Sequence, residues 1–184
     1  MMTSGAVAPT PVPPGRRGSP WRIVLGAVVL AFAAFWVWAL FFASKEAINK
    51  IGDRAWAARA ETICAEAEFE REALADFRRV DNDDPAMVAE RGDLVDAATD
   101  VVVRMLDRVV EVAPADAKGQ ALVPQWEQDY RTYLEDRRRY ADVLRSGRNA
   151  AFTETAADRI PISDKVATFA GDNDMPSCSP PIDL

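Results

Sequence analysis

The sequence predicts an all-α membrane protein: one transmembrane helix, then a small antiparallel helical bundle with an irregular, Pro-rich C-terminal tail. Three observations carry this. Ile23 to Ser44 contains no charged residue, apolar residues in the following chain recur near a 3.6-residue period, and Pro and Gly interrupt that pattern at only a few places. The chain divides accordingly into a disordered tail (residues 1–20), a membrane helix (21–44) and a helical domain outside the cytoplasm (45–184).

The tail holds Pro9, Pro11, Pro13, Pro14 and Pro20 with Gly5, Gly15 and Gly18, a composition that favours extended, solvated chain. Pro11 to Arg16 fits the P-x-x-P-x-R form of a polyproline ligand, a match that arises easily in Pro-rich sequence. From Ile23 to Ser44, at about 1.5 Å per residue, a helix reaches roughly 33 Å, enough to cross a hydrocarbon core. Trp21 at one end and Trp36, Trp38, Phe41 and Phe42 toward the other suit the two interfaces. The stretch exceeds the apolar region of a cleaved signal peptide, which favours an uncleaved anchor. Arg16, Arg17 and Arg22 precede it, and Lys45, Lys50, Arg54 and Arg59 follow it, so the charge rule is nearly tied. The tail's lack of any acidic residue decides for a cytoplasmic N-terminus. Ala27 and Ala31 make one small-xxx-small spacing, unremarkable in an Ala-rich span.

A first domain helix is expected to continue from the membrane over Lys45 to Val80, with Ile48, Ile51, Ala55, Ile63, Phe69 and Phe77 near helical spacing and Gly52 its weak point. Asp84-Pro85 reads as the N-cap and first residue of a second helix, which Pro114 stops after about Ala113. A third helix is expected from about Pro124 to Arg145, where Trp126, Tyr130, Tyr133, Tyr140 and Leu144 repeat every three or four residues before Ser146-Gly147. Short helical pieces are expected near Phe152 to Arg159, and from Ser163 as N-cap to Ala170. Met175 to Pro181, with three prolines, must be irregular.

All 29 acidic residues follow Ser44, whereas three of the 22 basic ones precede it. The soluble part is therefore strongly acidic, which excludes nucleic acid as a partner. The absence of histidine excludes Ser-His-Asp and Cys-His catalysis and the usual helical-bundle di-iron ligands. No nucleotide-binding or nucleophile-elbow motif occurs. Glu66 and Glu70 lie one turn apart and could form a catalytic carboxylate pair, but pairing with an Arg such as Arg59 is the commoner use. Asp81 to Asp84 and Asp172 to Asp174 offer oxygens to calcium, yet Pro85 and Pro176 stand where an EF-hand would place its fifth ligand, and capping explains both clusters. The aromatic stripe Trp126, Tyr130, Tyr133, Tyr140 is either bundle core or a candidate binding surface for a sugar or peptide. Arg137-Arg138-Arg139, with Glu135 and Asp136 beside it, reads as a salt-bridged, solvated helix face.

Cys64 and Cys178 are the only cysteines. Bonded, they would close a loop of over a hundred residues and pin the tail; unpaired, they would be thiols of a cytosolic domain. Two thiolates without histidine are too few for zinc, so neither metal nor cofactor is expected.

Four segments carry a resemblance: Ala60-Glu61-Thr62-Ile63-Cys64, Leu122-Val123-Pro124-Gln125-Trp126-Glu127, Tyr133 to Arg138, and Met175 to Pro181. Over roughly Trp56 to Leu184 the chain resembles uncharacterised single-pass membrane proteins of actinobacteria. The resemblance implies a bacterial plasma-membrane protein and a Cys64–Cys178 bond, and it implies no activity.

These readings point to a non-enzymatic interaction or scaffold protein, an accessory subunit whose partners are the bilayer and another membrane or envelope protein. The alternative is a ligand-binding or sensory module with a pocket between helices, marked by convergent Tyr and Arg groups.

Overall fold

The structure is a computed structural model and describes residues 20–42, 47–76, 81 and 83–181. They fall into two units, one ending at Lys45 and one beginning at Glu46. The first contains helix α1, Pro20–Phe41, of 22 residues, none of them buried. It starts three residues before the expected span, with Pro20 at its first position, where the missing N–H costs nothing. The expected end at Ser44 lies outside the described residues.

The second unit is a helical domain. Helix α2 runs over Arg54–Glu72, so the long helix expected over Lys45 to Val80 is not continuous. The break comes at Gly52-Asp53, the expected weak point. There the Asp53 carboxylate accepts the N–H of Trp56 at 2.9 Å and of Ala115 at 2.8 Å, which makes it a helix cap and a tie to a distant loop at once. Ile51, just ahead of the break, is buried, and its N–H donates to Asn173 Oδ1 at 2.8 Å. Tertiary partners thus hold residues 47–53 out of a helix. Phe77 to Val80, also placed in that helix, lie outside the described residues.

Helix α3, Pro85–Val110, starts as expected, with Asp84 accepting from Ala86 and Met87 at 2.9 and 3.4 Å. Helix α4 spans Ala117–Arg145 and begins well before the expected start at Pro124. Asp116 caps it by accepting from Gly119 N–H at 2.9 Å. Pro124 sits inside, at a cost of about 3 kcal/mol in an ordinary helix interior; burial of Gly119 and Val123 in the early turns opposes that cost. Gly147 closes the helix with φ +76°, its N–H donating to Leu144 O at 2.8 Å.

The helical piece expected near Phe152 to Arg159 is instead a small hairpin. Strand β1, Ala156–Ala157, pairs antiparallel with β2, Ile160–Pro161. Asp158 and Arg159 both have positive φ, 54° and 67°, the requirement of a tight two-residue hairpin turn. Helix α5 covers Ile162–Asp172, with Pro161 in the cap position and without a side-chain cap. Ser163 is not the N-cap but lies in the first turn, where Glu154 accepts from both its N–H and its hydroxyl at 2.9 Å. Pro176–Cys178 form a single 3₁₀ turn.

Glu66–Arg108 and Glu70–Arg104 set α2 antiparallel to α3. Asp107–Arg131, Asp96–Arg138 and Asp93–Arg145 set α3 antiparallel to α4, and Asp129–Lys165 with Trp126–Phe169 sets α5 antiparallel to α4. The expected bundle is present. At Gly92 the α3 and α4 backbones approach so closely that an added Cβ would lie 2.8 Å from Ala141 O and 2.9 Å from Arg145 N.

Candidate functional site

The stripe on α4 is core. Trp126, Tyr130, Tyr133 and Tyr140 are 2, 1, 2 and 7% exposed, so they are packed in the interior and are not displayed as an exposed stripe. Trp126 stacks on Phe169 of α5 at 5.4 Å between centroids and meets Tyr130 edge-on; Phe152 closes against Tyr133 and Tyr140. Two hydroxyls find work in the chain itself. Tyr130 donates to Ser179 O at 3.3 Å and Tyr133 to Pro181 O at 2.8 Å, fastening the Pro-rich tail to α4 as buried hydroxyls require. Cys178 in that tail is bonded to Cys64 of α2, with Cα atoms 5.1 Å apart. Met175 and Cys178 are fully buried. Tail, disulfide and Trp126, Tyr130 and Tyr133 therefore share one core, while Tyr140 sits in a second cluster with Val88, Val95 and Leu144 that Phe152 joins to the first.

The three consecutive arginines separate. Arg138 bridges Asp96 and Asp100, and Arg139 pairs with Asp136. Arg137 is 0% exposed, which corrects its placement on a solvated face. Its Nε donates to Thr99 Oγ1 at 2.9 Å, and its guanidinium lies 6.0 Å from the centroid of the Tyr133 ring. A signal for this was available: in the series 126, 130, 133, 140, 144, position 137 is the missing member. Asp136 is buried too and accepts from the N–H and hydroxyl of Thr155 at 2.7 and 3.0 Å, holding the strand that enters the hairpin.

Glu66 and Glu70 reach Arg108 and Arg104 at 2.9 and 2.5 Å and are not a free carboxylate pair. Arg59 instead donates to the carbonyls of Arg108 and Val109, orphan acceptors in the last turn of α3, and to that of Val112 just beyond it. The acidic clusters are structural: Asp84 caps α3, Asp172 accepts from Asn49, and Asn173 holds Ile51. Arg54 and Lys50 keep the Asp174 carboxyl below the usual range. Burial alone would raise the Asp96 carboxyl, but hydrogen bonds from Arg145 and Arg138 outweigh it and hold it low. Among the described residues no three His, Cys, Asp or Glu side chains cluster to hold a metal ion.

The domain surface has several concave sites, among them a groove of about 450 Å³ beside Trp126, Lys165 and Phe169 and one of about 360 Å³ beside Tyr133, Phe152 and Pro181; a third gathers arginines. A cleft of about 290 Å³ opens where the C-terminal end of α2 passes α3, floored by Arg137 from α4. Leu74, Met87, Leu94, Val95 and Ala98 supply apolar walls, and Arg71, Arg91, Glu72, Asp76 and Glu90 complete the lining. Its charges are sorted by depth: Arg137 is buried, Arg71 and Arg91 are half-buried, and all three acids are exposed. Arginines converge on this cleft, but the tyrosines of the stripe do not line it.

The class these features define is a mostly helical domain, closed by one disulfide, in a chain that also carries a helix long and apolar enough to cross a membrane. No protein-family model, no curated protein and no solved structure matches the chain.

Proposed function

We propose that the chain is a membrane-anchored, non-enzymatic interaction or scaffold protein of a bacterial plasma membrane, acting as an accessory subunit of an envelope or membrane complex. Residues 1–20 lie in the cytoplasm, α1 spans the bilayer, and the acidic domain stands outside, where it meets another membrane or envelope protein. One observation carries this reading: α1 places Val, Leu, Phe and Trp side chains on every face and buries none of them. A helix apolar all round needs an apolar phase to cover it. The disulfide supports an oxidising compartment for the domain. The dense ion pairing of the carboxylates favours a structural over a catalytic use of them.

The test is purification of the full chain in mild detergent followed by mass spectrometry, with protease added to intact spheroplasts in parallel. A stoichiometric companion and cleavage of the domain from outside are expected. Repeated isolation of the chain alone would count against the scaffold, and protection of the domain against the topology.

A further inference from the structure

We infer that the groove walled by α4, α5 and the hairpin takes a short, uncharged segment of a partner protein, one apolar side chain between two peptide groups. This rests on the interaction reading above and gives that partner a chemistry.

The lining decides the charge of the occupant. Its two ionic side chains, Asp129 and Lys165, pair with each other at 2.9 Å, so the groove carries no net charge on a domain that is otherwise strongly acidic. A charged ligand would find no counter-ion to spare there and would still lose part of its hydration. What remains are neutral amides. The side-chain amide of Gln128 is exposed and bonds to none of the described residues, and Gln125, three positions earlier on α4, gives its Nε2 to Ala121 O at 3.0 Å and leaves its carbonyl oxygen to accept. A side-chain amide offers a donor and an acceptor as a peptide group does, so each can serve one peptide unit. A third polar group is unmet. Trp126 Nε1, in the same wall, is buried without an acceptor, an omission that costs about 1–3 kcal/mol, whereas Trp56, the other indole of the domain, donates to Val112 O at 2.7 Å. A carbonyl oxygen reaches Trp126 Nε1 once a wall side chain turns aside, and Gln125 and Gln128, exposed on either side of Trp126 in sequence, have the freedom to do so. The apolar lining selects further. Ile160 is 48% exposed and Leu122 half-buried, surface that an aliphatic side chain would cover. Trp126 and Phe169 stack on each other at 5.4 Å and are 2 and 5% exposed, so they offer no open ring face to a sugar. A volume of about 450 Å³, at roughly 30 Å³ per water-sized group, holds on the order of fifteen heavy atoms. That is one residue with its two flanking peptide groups.

The probe is N-acetylleucine N-methylamide, titrated into the full chain in lipid nanodiscs with isotope-labelled tryptophan and followed by the indole N–H resonances. Trp126→Phe assigns the Trp126 signal. A saturable downfield movement of that signal is expected, as a newly hydrogen-bonded N–H shows, while the signal of Trp56, already bonded to Val112 O, stays in place. N-acetylglycine N-methylamide, without the apolar side chain, should bind roughly tenfold more weakly, and the carboxylate N-acetylleucine by a similar factor. Gln128→Ala, at an exposed position, should weaken the leucine probe by roughly three- to tenfold. Thr168→Trp, which fills the groove, should abolish binding. Thermal unfolding of both variants checks that they are folded. A Trp126 signal that never moves, equal affinity for the glycine analogue, or wild-type binding by the folded Thr168→Trp variant would each overturn the site. The titration contains no companion protein, so its failure beside a stoichiometric companion in detergent removes the groove and leaves the scaffold reading, and a moving signal in a chain that always purifies alone does the reverse.

Discussion

Removing the Cys64–Cys178 bond, as Cys64→Ala/Cys178→Ala, tests how the domain holds its tail. The two residues are 114 positions apart. Cross-linking a loop of that length restricts the unfolded chain by about 16 cal/mol/K, or about 4.8 kcal/mol at 25 °C on the chain-entropy relation. On the folded side, both sulfurs are buried, Cys64 at 1% and Cys178 at 0% exposed, and truncation to Ala leaves a small void worth about 1 kcal/mol. The tail does not depend on the bond alone. Tyr130 and Tyr133 still grip Ser179 and Pro181, and Met175 stays buried, so the native fold persists and most of the loss acts through the unfolded chain. The sum, about 4–6 kcal/mol, is a large share of the 5–15 kcal/mol typical of a domain. The assay is urea unfolding of the full chain in detergent, followed by near-ultraviolet circular dichroism. With a slope of about 2 kcal/mol/M, the midpoint should fall by about 2–3 M. A fall below about 0.5 M at unchanged slope would refute the reasoning, because the loop would then impose no useful constraint.

Three further outcomes follow from named contacts. Gly92→Ala places a methyl against Ala141 O and Arg145 N, backbone atoms of α4 that have nowhere to go; a loss of about 1–3 kcal/mol in thermal unfolding is expected, and an unchanged melting temperature would mean α3 and α4 pack otherwise. Asp136→Asn removes one acceptor from a buried side chain that holds the hydroxyl and N–H of the exposed Thr155, costing about 1 kcal/mol and speeding hydrogen exchange at the Thr155 amide; unchanged exchange there would contradict the role. Asp53 is held below the usual carboxylate range by the N–H groups of Ala115 and Trp56, and Asp116 by those of Gly119, Gly52 and Asp53. Folded values depressed in this way contribute stability that is complete above the unfolded value of about 3.9 and is lost as pH falls through the folded values. The urea midpoint should therefore be level near neutrality and drop below about pH 4, with a shallower drop in Asp53→Asn/Asp116→Asn; an equally steep acid limb in that variant would exclude the pair as its source.

What could be read from the sequence is what neighbouring residues decide among themselves. The charge-free run at Ile23 onward, the Asp84-Pro85 start of α3 and the Gly147 close of α4 each rest on groups a few residues apart. The aromatic stripe was legible as a pattern but not in its use: spacing shows that Trp126, Tyr130, Tyr133 and Tyr140 share a face, and only the packing of α5 and the tail shows that this face is covered.

The remainder depended on partners far along the chain. Helix α2 begins at Arg54 because Asp53 binds Ala115 and Ile51 binds Asn173, and no local propensity encodes a hydrogen bond across 62 or 122 positions. The hairpin replaces a helix because Asp136 and Glu154 take the backbone groups on either side of it, while Asp158-Arg159 lacks the Gly that would have announced the turn. The cleft, too, belongs to the tertiary structure. Arg137 looks like a surface charge in sequence; its depth comes from α3 lying across α4, and that crossing turns a solvated cation into the floor of a recess.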